Sequence, residues 1–216
     1  MMSLDVETNF YRTGSGCSEF AENVNKVGCY KNCIEVTTGR FFDIVEPQPL
    51  SVDILSIAEG LAKQCRFGGQ TVGRFYSVAQ HCCIGHDWAM QLDRKSVAGR
   101  KFAFDFLMHD AAEGYIGDLP RPVKVHLPEY KAIEDKIQDA ITRRFAVPDM
   151  HRRVKSLDNE LCRRESFLFM KSRGEKLDWQ GTPLINVKIR PWGWRKARRQ
   201  FLKRFYKHRP GEKYAN

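Results

Sequence analysis

Long apolar runs are missing from this chain. Nothing in it approaches the ~20 consecutive apolar residues a bilayer-spanning helix needs, which argues against integral membrane helices. The opening residues, MMSLDVETNFYR, lack a basic start followed by an apolar stretch, so no secretory signal is visible. A disulfide framework is missing too. The seven cysteines are odd in number and scattered: Cys17, Cys29, Cys33, Cys65, Cys82, Cys83 and Cys162. Reduced thiols in a cytoplasm are the expectation. Cys17, Cys29 and Cys33 match no common zinc spacing and read as free thiols. Internal repeats and low-complexity tracts are absent.

Acidic residues are scarce in one place. Residues 188–216 hold eleven Lys/Arg and one acid, while the rest of the chain holds 25 of each sign, so the whole net charge of +10 sits in this tail. A basic tail points to nucleic acid or another anionic partner. Against that, Ala197, Phe201, Leu202 and Phe205 recur at helical spacing, so the tail has an apolar stripe that should pack on a core. The packed helix is the favoured reading, and nucleic-acid binding is the alternative. A length of 216 residues with 42% apolar content suits one domain.

The rest reads as helices behind an irregular extension. Residues 1–37 show little periodicity, and the folded domain is expected over 38–216. Residues 39–43 suggest a short extended segment, and Glu46-Pro47-Gln48-Pro49 a loop. Ser56-x-x-Glu59 and Ser77-x-x-Gln80 read as capping boxes. The first opens a helix with Ile57, Leu61 and Cys65 on one face, ended by Gly68-Gly69. The second opens a helix to about Leu92, with His81 in its first turn. A third helix is expected from about Gly99 to Glu113, broken by Gly114 and Gly117. Pro128 can start a fourth, to about Phe145, with Tyr130, Ile133, Ile137 and Ile141 inward. A fifth, about 149–173, should bury Met150, Val154, Leu157, Leu161 and Leu168. Residues 174–194 read as loop with a short strand, before the basic helix. The fold class is all-α.

Four residues stand out as a candidate metal set: His81, the pair His109-Asp110, and Asp158. Imidazole nitrogens and carboxylate oxygens suit a divalent ion of intermediate hardness. Taken singly, each has an ordinary structural reading. Their company changes the weighing. His109, Asp110 and Glu113 fall at i, i+1 and i+4 on an otherwise aromatic face, where unpaired carboxylates would cost several kcal/mol. A bound cation removes that cost. Three ligand-bearing helices converging on one ion would leave positions for water and substrate, the layout of metal-assisted hydrolysis.

The order His81…His109-Asp110…Asp158 resembles the HD-domain phosphohydrolase superfamily. The stretches FDIVEPQP, IAEGLAKQ, CRFGGQ, FYSVAQH, HDAAEGYIGDLPRPVK and the later PW…A…FL.RF are similar to its nucleotide-acting branch, which includes bacterial 5′-deoxynucleotidases and virus-encoded dATP triphosphohydrolases. The resemblance covers about residues 40–208. It implies an HD-domain helical bundle, a divalent ion (Co²⁺, Mn²⁺, Zn²⁺ or Mg²⁺) on His81, His109, Asp110 and Asp158, and Glu113 as general acid/base. It implies that Asp118 positions water or a further ion, that Arg66 binds phosphate or caps the nucleotide, that Lys124 meets phosphate oxygens, and that Phe67, where parts of the branch carry Trp, can stack on a base. It further implies a small nucleotide substrate, a homo-oligomer, no membrane partner, and a cytoplasmic location (the host cytoplasm for a viral chain). The activity it favours is dATP triphosphohydrolase, releasing deoxyadenosine and triphosphate. A 5′-deoxynucleotidase acting on dNMPs is the alternative.

Overall fold

A computed structural model describes residues 29–73, 75–149, 151–173 and 185–209. They are mainly helical. A small antiparallel ladder of β1 (Cys33–Glu35) and β2 (Phe41–Asp43) precedes the helices, with Ile34 opposite Phe42. The turn between them needs a glycine: Gly39 has φ +74°. β1 falls in the stretch expected to be irregular, whereas β2 lies where an extended segment was expected.

The helices are α1 (Ile54–Lys63), α2 (Val78–Leu92), α3 (Val97–Met108), the single turns α4 (Glu113–Ile116) and α5 (Arg121–Lys124), then α6 (Pro128–Phe145), α7 (His151–Phe169) and α8 (Trp194–His208). Ser77 caps α2 as expected, its hydroxyl accepting from Gln80 N at 3.2 Å. The other half of that box does not close. The Gln80 amide instead holds the chain ahead of α8, donating to Arg190 O and accepting from Trp192 N. Ser56 is not a cap. Asp53 takes that role, accepting from Leu55 N and Ser56 N, and Ser56 is buried inside α1 with its hydroxyl on Asp53. α1 also stops at Lys63, before the two glycines. α6 runs from Pro128 to Phe145 as the sequence indicates, with Ile137 and Ile141 buried.

The third helix ends earlier than expected, at Met108. Its cause is a side chain rather than Gly114. The Gln138 amide, from α6, donates to Met108 O at 3.0 Å and accepts from Ala112 N at 3.2 Å. It stands where the helical Ala112-to-Met108 bond would be, one of the known ways to break the ladder. His109 and Asp110 therefore sit in a turn. Gly114 lies within α4 and serves close packing: a Cβ on Gly60 of α1 would lie 2.0 Å from Gly114 O. Gly117, at φ +96°, ends that turn.

Two apolar clusters hold the helices together. The larger joins Phe42, Ile57, Leu61, Val78, Phe104, Leu107, Ile141, Phe201 and Phe205; the other joins Phe102, Phe106, Val154, Leu157, Leu161 and Ile185. α7 keeps Val154, Leu157 and Leu161 inward, but Leu168 is exposed and Phe169 is buried in its place, against Tyr76. Leu161, Glu165 and Phe169 follow one face at i, i+4, i+8, which leaves Leu168 off it. Met150 and 174–184 lie outside the described residues, and residues 185–193 form no strand. Among the described residues no helix is long and apolar enough to cross a membrane.

The basic tail packs as its stripe suggests. Ala197, Phe201 and Phe205 are fully buried against α1, α2 and α3, and Phe205 meets the rings of Phe104 and Phe145. Phe201→Ala should then cost about 3–5 kcal/mol of unfolding free energy, the usual range for a buried Phe. Deleting 195–216 should lower the melting temperature further. A truncated chain that melts at the parental temperature in a thermal scan contradicts this packing.

Candidate metal centre

His81, His109, Asp110 and Asp158 come together between the start of α2, the turn after α3 and the middle of α7. His81 is in the first turn of α2 and is wholly buried. His109 and Asp110 occupy the turn after α3 that Gln138 shapes. Each of these three offers an atom within 4.8 Å of the other two. Asp158 of α7 closes the set: its Oδ1 is 3.4 Å from His81 Nε2 and 3.9 Å from His109 Nε2. Asp110 Oδ1 is 3.1 Å from His109 Nε2, and its Oδ2 is 3.8 Å from His81 Nε2.

The outer nitrogens fix the tautomers. His81 Nδ1 donates to Glu165 Oε1 at 2.7 Å, and His109 Nδ1 donates to Phe106 O at 2.7 Å. Both Nε2 atoms are buried without a hydrogen-bond partner, and each carries a lone pair when its ring is neutral. A carboxylate or carbonyl behind a metal-binding imidazole is the usual way to orient it. Two such lone pairs beside two carboxylates fit a divalent ion of the zinc, manganese or cobalt kind.

Charge points the same way. Five carboxylates gather here, Asp110, Asp118, Glu113, Asp158 and Glu165, against four cations, the inner Arg66 and Lys124 and, at the rim, Arg121 and Lys155. Burial opposes charge on His109, yet Asp110 and Asp158 outweigh it and push the imidazole up to about 9. Burial also works against the Asp158 carboxylate, but the two imidazoles hold it well below the usual range. Glu113 behaves oppositely. Burial, then the charges of Asp110 and Asp118, raise it well above an ordinary carboxyl, against Lys124. Asp118 is raised too, first by burial.

The remaining expected residues have particular settings. Arg66 is buried, with Nη1 3.4 Å from Asp110 Oδ2 and Nη2 3.3 Å from Glu165 Oε2, so its guanidinium balances these two carboxylates from inside. Lys124 Nζ donates to Glu113 Oε1 at 2.6 Å and Glu134 Oε1 at 2.7 Å. Glu113 Oε2 is left buried and unpartnered. Phe67 is half-buried in a left-handed conformation, φ +57°, with the Arg66 guanidinium carbon 5.8 Å from its ring centre. Arg121 and Lys155, not foreseen from the sequence, each place a nitrogen 3.8 Å from Asp158 Oδ2 at the exposed rim. Glu165, Tyr76 and Gln138 were not foreseen either. Tyr76 donates to Glu165 Oε1 at 2.5 Å. The spacing Asp158, Leu161, Glu165 (i, i+3, i+7) is the signal that could have exposed Glu165.

No protein-family model matches the chain. Two bacterial proteins are similar to it. The uncharacterized protein YfdR of Escherichia coli (strain K12) is 36% identical over 115 residues, which cover 53% of this chain and 59% of that protein. The uncharacterized protein RCAP_rcc00048 of Rhodobacter capsulatus is 32% identical over 136 residues, 60% of this chain and 68% of that protein. This chain belongs to their family. It spans less than two thirds of YfdR.

Two outcomes follow from the geometry. Glu165→Gln should weaken divalent-ion binding by about 10–100-fold, the usual effect of losing such a supporting group, measured by titration of the chelator-treated protein. Unchanged affinity would remove Glu165 from this role. The second concerns pH. His109 is raised above its ordinary value of 6.5, so in metal-free protein its stabilising contribution is complete below about 6.5 and lost as pH rises through about 9. Added metal should therefore raise the melting temperature more at pH 9 than at pH 6. An equal rise at both would mean that proton and metal do not compete there.

Proposed function

We propose that this chain is a metal-dependent phosphohydrolase of deoxynucleotides, an enzyme of the HD-domain kind. The observation that carries the reading is the pair of buried, unpartnered Nε2 atoms on His81 and His109, set beside Asp110 and Asp158. A divalent ion held by these residues supplies charge neutralisation for phosphate and a lowered pKa for water.

The chain's own groups supply the rest. Glu113 is the proton carrier: Lys124 occupies Oε1, and the buried Oε2, which has no hydrogen-bond partner, is the atom left to pass a proton to the leaving oxygen. Arg121 and Lys155 at the rim attract the polyanionic substrate. Arg66 holds Asp110 and Glu165 in place. The half-buried Phe67 ring offers a stacking face for a base, an interaction of about 1–3 kcal/mol that tolerates any base. We favour dATP, cleaved to deoxyadenosine and triphosphate, from the resemblance of FYSVAQH and its neighbours; the 5′-deoxynucleotidase reaction uses the same groups. Product analysis separates them by inorganic triphosphate or inorganic phosphate.

A second reading, a nucleic-acid-binding module, draws on α8. Arg195, Arg199 and Lys203 line its exposed side at i, i+4, i+8, and the helix contains no acid. That reading requires salt-dependent polynucleotide binding that survives loss of Asp110.

Glu113→Gln should keep metal and nucleotide binding while losing roughly 10²–10⁴-fold in single-turnover rate. A rate within a few-fold of the parent removes Glu113 as proton carrier. A full screen of dNTPs and dNMPs with Co²⁺, Mn²⁺ and Mg²⁺ that yields no phosphate or triphosphate rejects the enzyme reading.

A further inference from the structure

A second histidine pair lies where the C-terminal ends of α2 and α8 meet. His86 is buried in the second half of α2, and His208 is the last residue of α8. Both line a surface cleft of about 460 Å³, together with Asp87, Met90, Arg94 and Lys207. His86 Nδ1 donates to Asp87 Oδ1 at 2.9 Å, and Asp87 is itself held by Arg204 Nε at 2.8 Å. This fixes the tautomer of His86 and leaves Nε2 as a lone pair. His86 Nε2 and His208 Nδ1 are both buried without a hydrogen-bond partner. Buried ring nitrogens left unsatisfied are costly, which calls for something to bind them.

The arrangement parallels the candidate metal centre. There the two imidazole centres are 5.4 Å apart at 50°; here they are 4.9 Å apart at 55°. There Glu165 stands behind one ring; here Asp87 does. Ring centres 4.9 Å apart are close enough for a nitrogen of each ring to reach one ion.

We propose that His86 and His208 form a second metal site, independent of the His81 cluster, that takes one borderline transition-metal ion such as Zn²⁺, Cu²⁺ or Ni²⁺. Two imidazoles and no direct carboxylate select that class over Mg²⁺ or Ca²⁺. Arg94 and Lys207 oppose a cation here, but both are exposed and can turn into solvent, and Asp87 neutralises Arg204. The partial negative charge at the ends of α2 and α8 acts in the ion's favour. Burial first, aided by Lys207 and Arg204, keeps both rings in the neutral form that donates a lone pair.

The test is stoichiometry. Chelator-stripped full-length protein is dialysed against Zn²⁺ and its metal measured by elemental analysis. The parent should hold two ions per chain, His208→Ala one, Asp110→Ala one, and the double variant none. His208 is half-buried, so its replacement should fold; His86→Gln, which keeps a polar side chain, should give the same count as His208→Ala. A His208→Ala protein that binds as many ions as the parent overturns the proposal. So does a parent that binds a single ion lost with Asp110. If His208→Ala loses an ion while Asp110→Ala loses none, this site stands and the His81 reading falls.

Discussion

The contact between Glu165 and His81 is the constraint on which the rest of the site depends. A wholly buried carboxylate is expensive unless several partners share it. Glu165 has three: the His81 imidazole, the Tyr76 hydroxyl and the Arg66 guanidinium. Together they tie α7, the start of α2 and the turn after α1 into one network. That network sets the direction of His81 Nε2 and brings Asp158, two turns earlier on α7, to the same point. Because Arg66 also reaches Asp110, a single buried cation restrains carboxylates from two separate segments.

Gln138 does the comparable work on the other side. Its amide stands in for one backbone bond of α3 and turns the chain at His109. Without that interruption the ladder of α3 would continue past Met108. The close crossing of Gly60 over Gly114 then sets α4 against α1, and Gln64 Nε2, donating to Glu113 O at 2.6 Å, secures the backbone of the residue proposed to carry the proton. Helix packing, a side-chain amide and a glycine contact thus converge on one small volume.

Much of this was legible in the sequence, and the failures have physical causes. Pro128 and Ser77 mark helix starts because a fixed φ and a capping hydroxyl act locally. The stripe in α8 was readable because burial follows the helical period. Ser56 misled because Asp53, three residues earlier, is an equally good cap and the chain enters the helix there. The end of α3 could not be read because Gln138 lies thirty residues away from Met108. His81, His109, Asp110 and Asp158 were identifiable by residue type, since buried imidazoles and carboxylates need a shared reason to be there. Glu165 was hidden because a single Glu on a polar helix looks like surface, although its i+7 relation to Asp158 placed it on the same face.

The proposed function rests on metal ligation by the two unpartnered imidazole nitrogens of this cluster. Anomalous diffraction from crystals grown with Mn²⁺ or Co²⁺ tests it most directly. A peak is expected within bonding distance of His81 Nε2, His109 Nε2 and an Asp110 oxygen, with Asp158 also in contact and Glu165 still behind His81. Full-strength peaks elsewhere with none between His81 and His109 would contradict it.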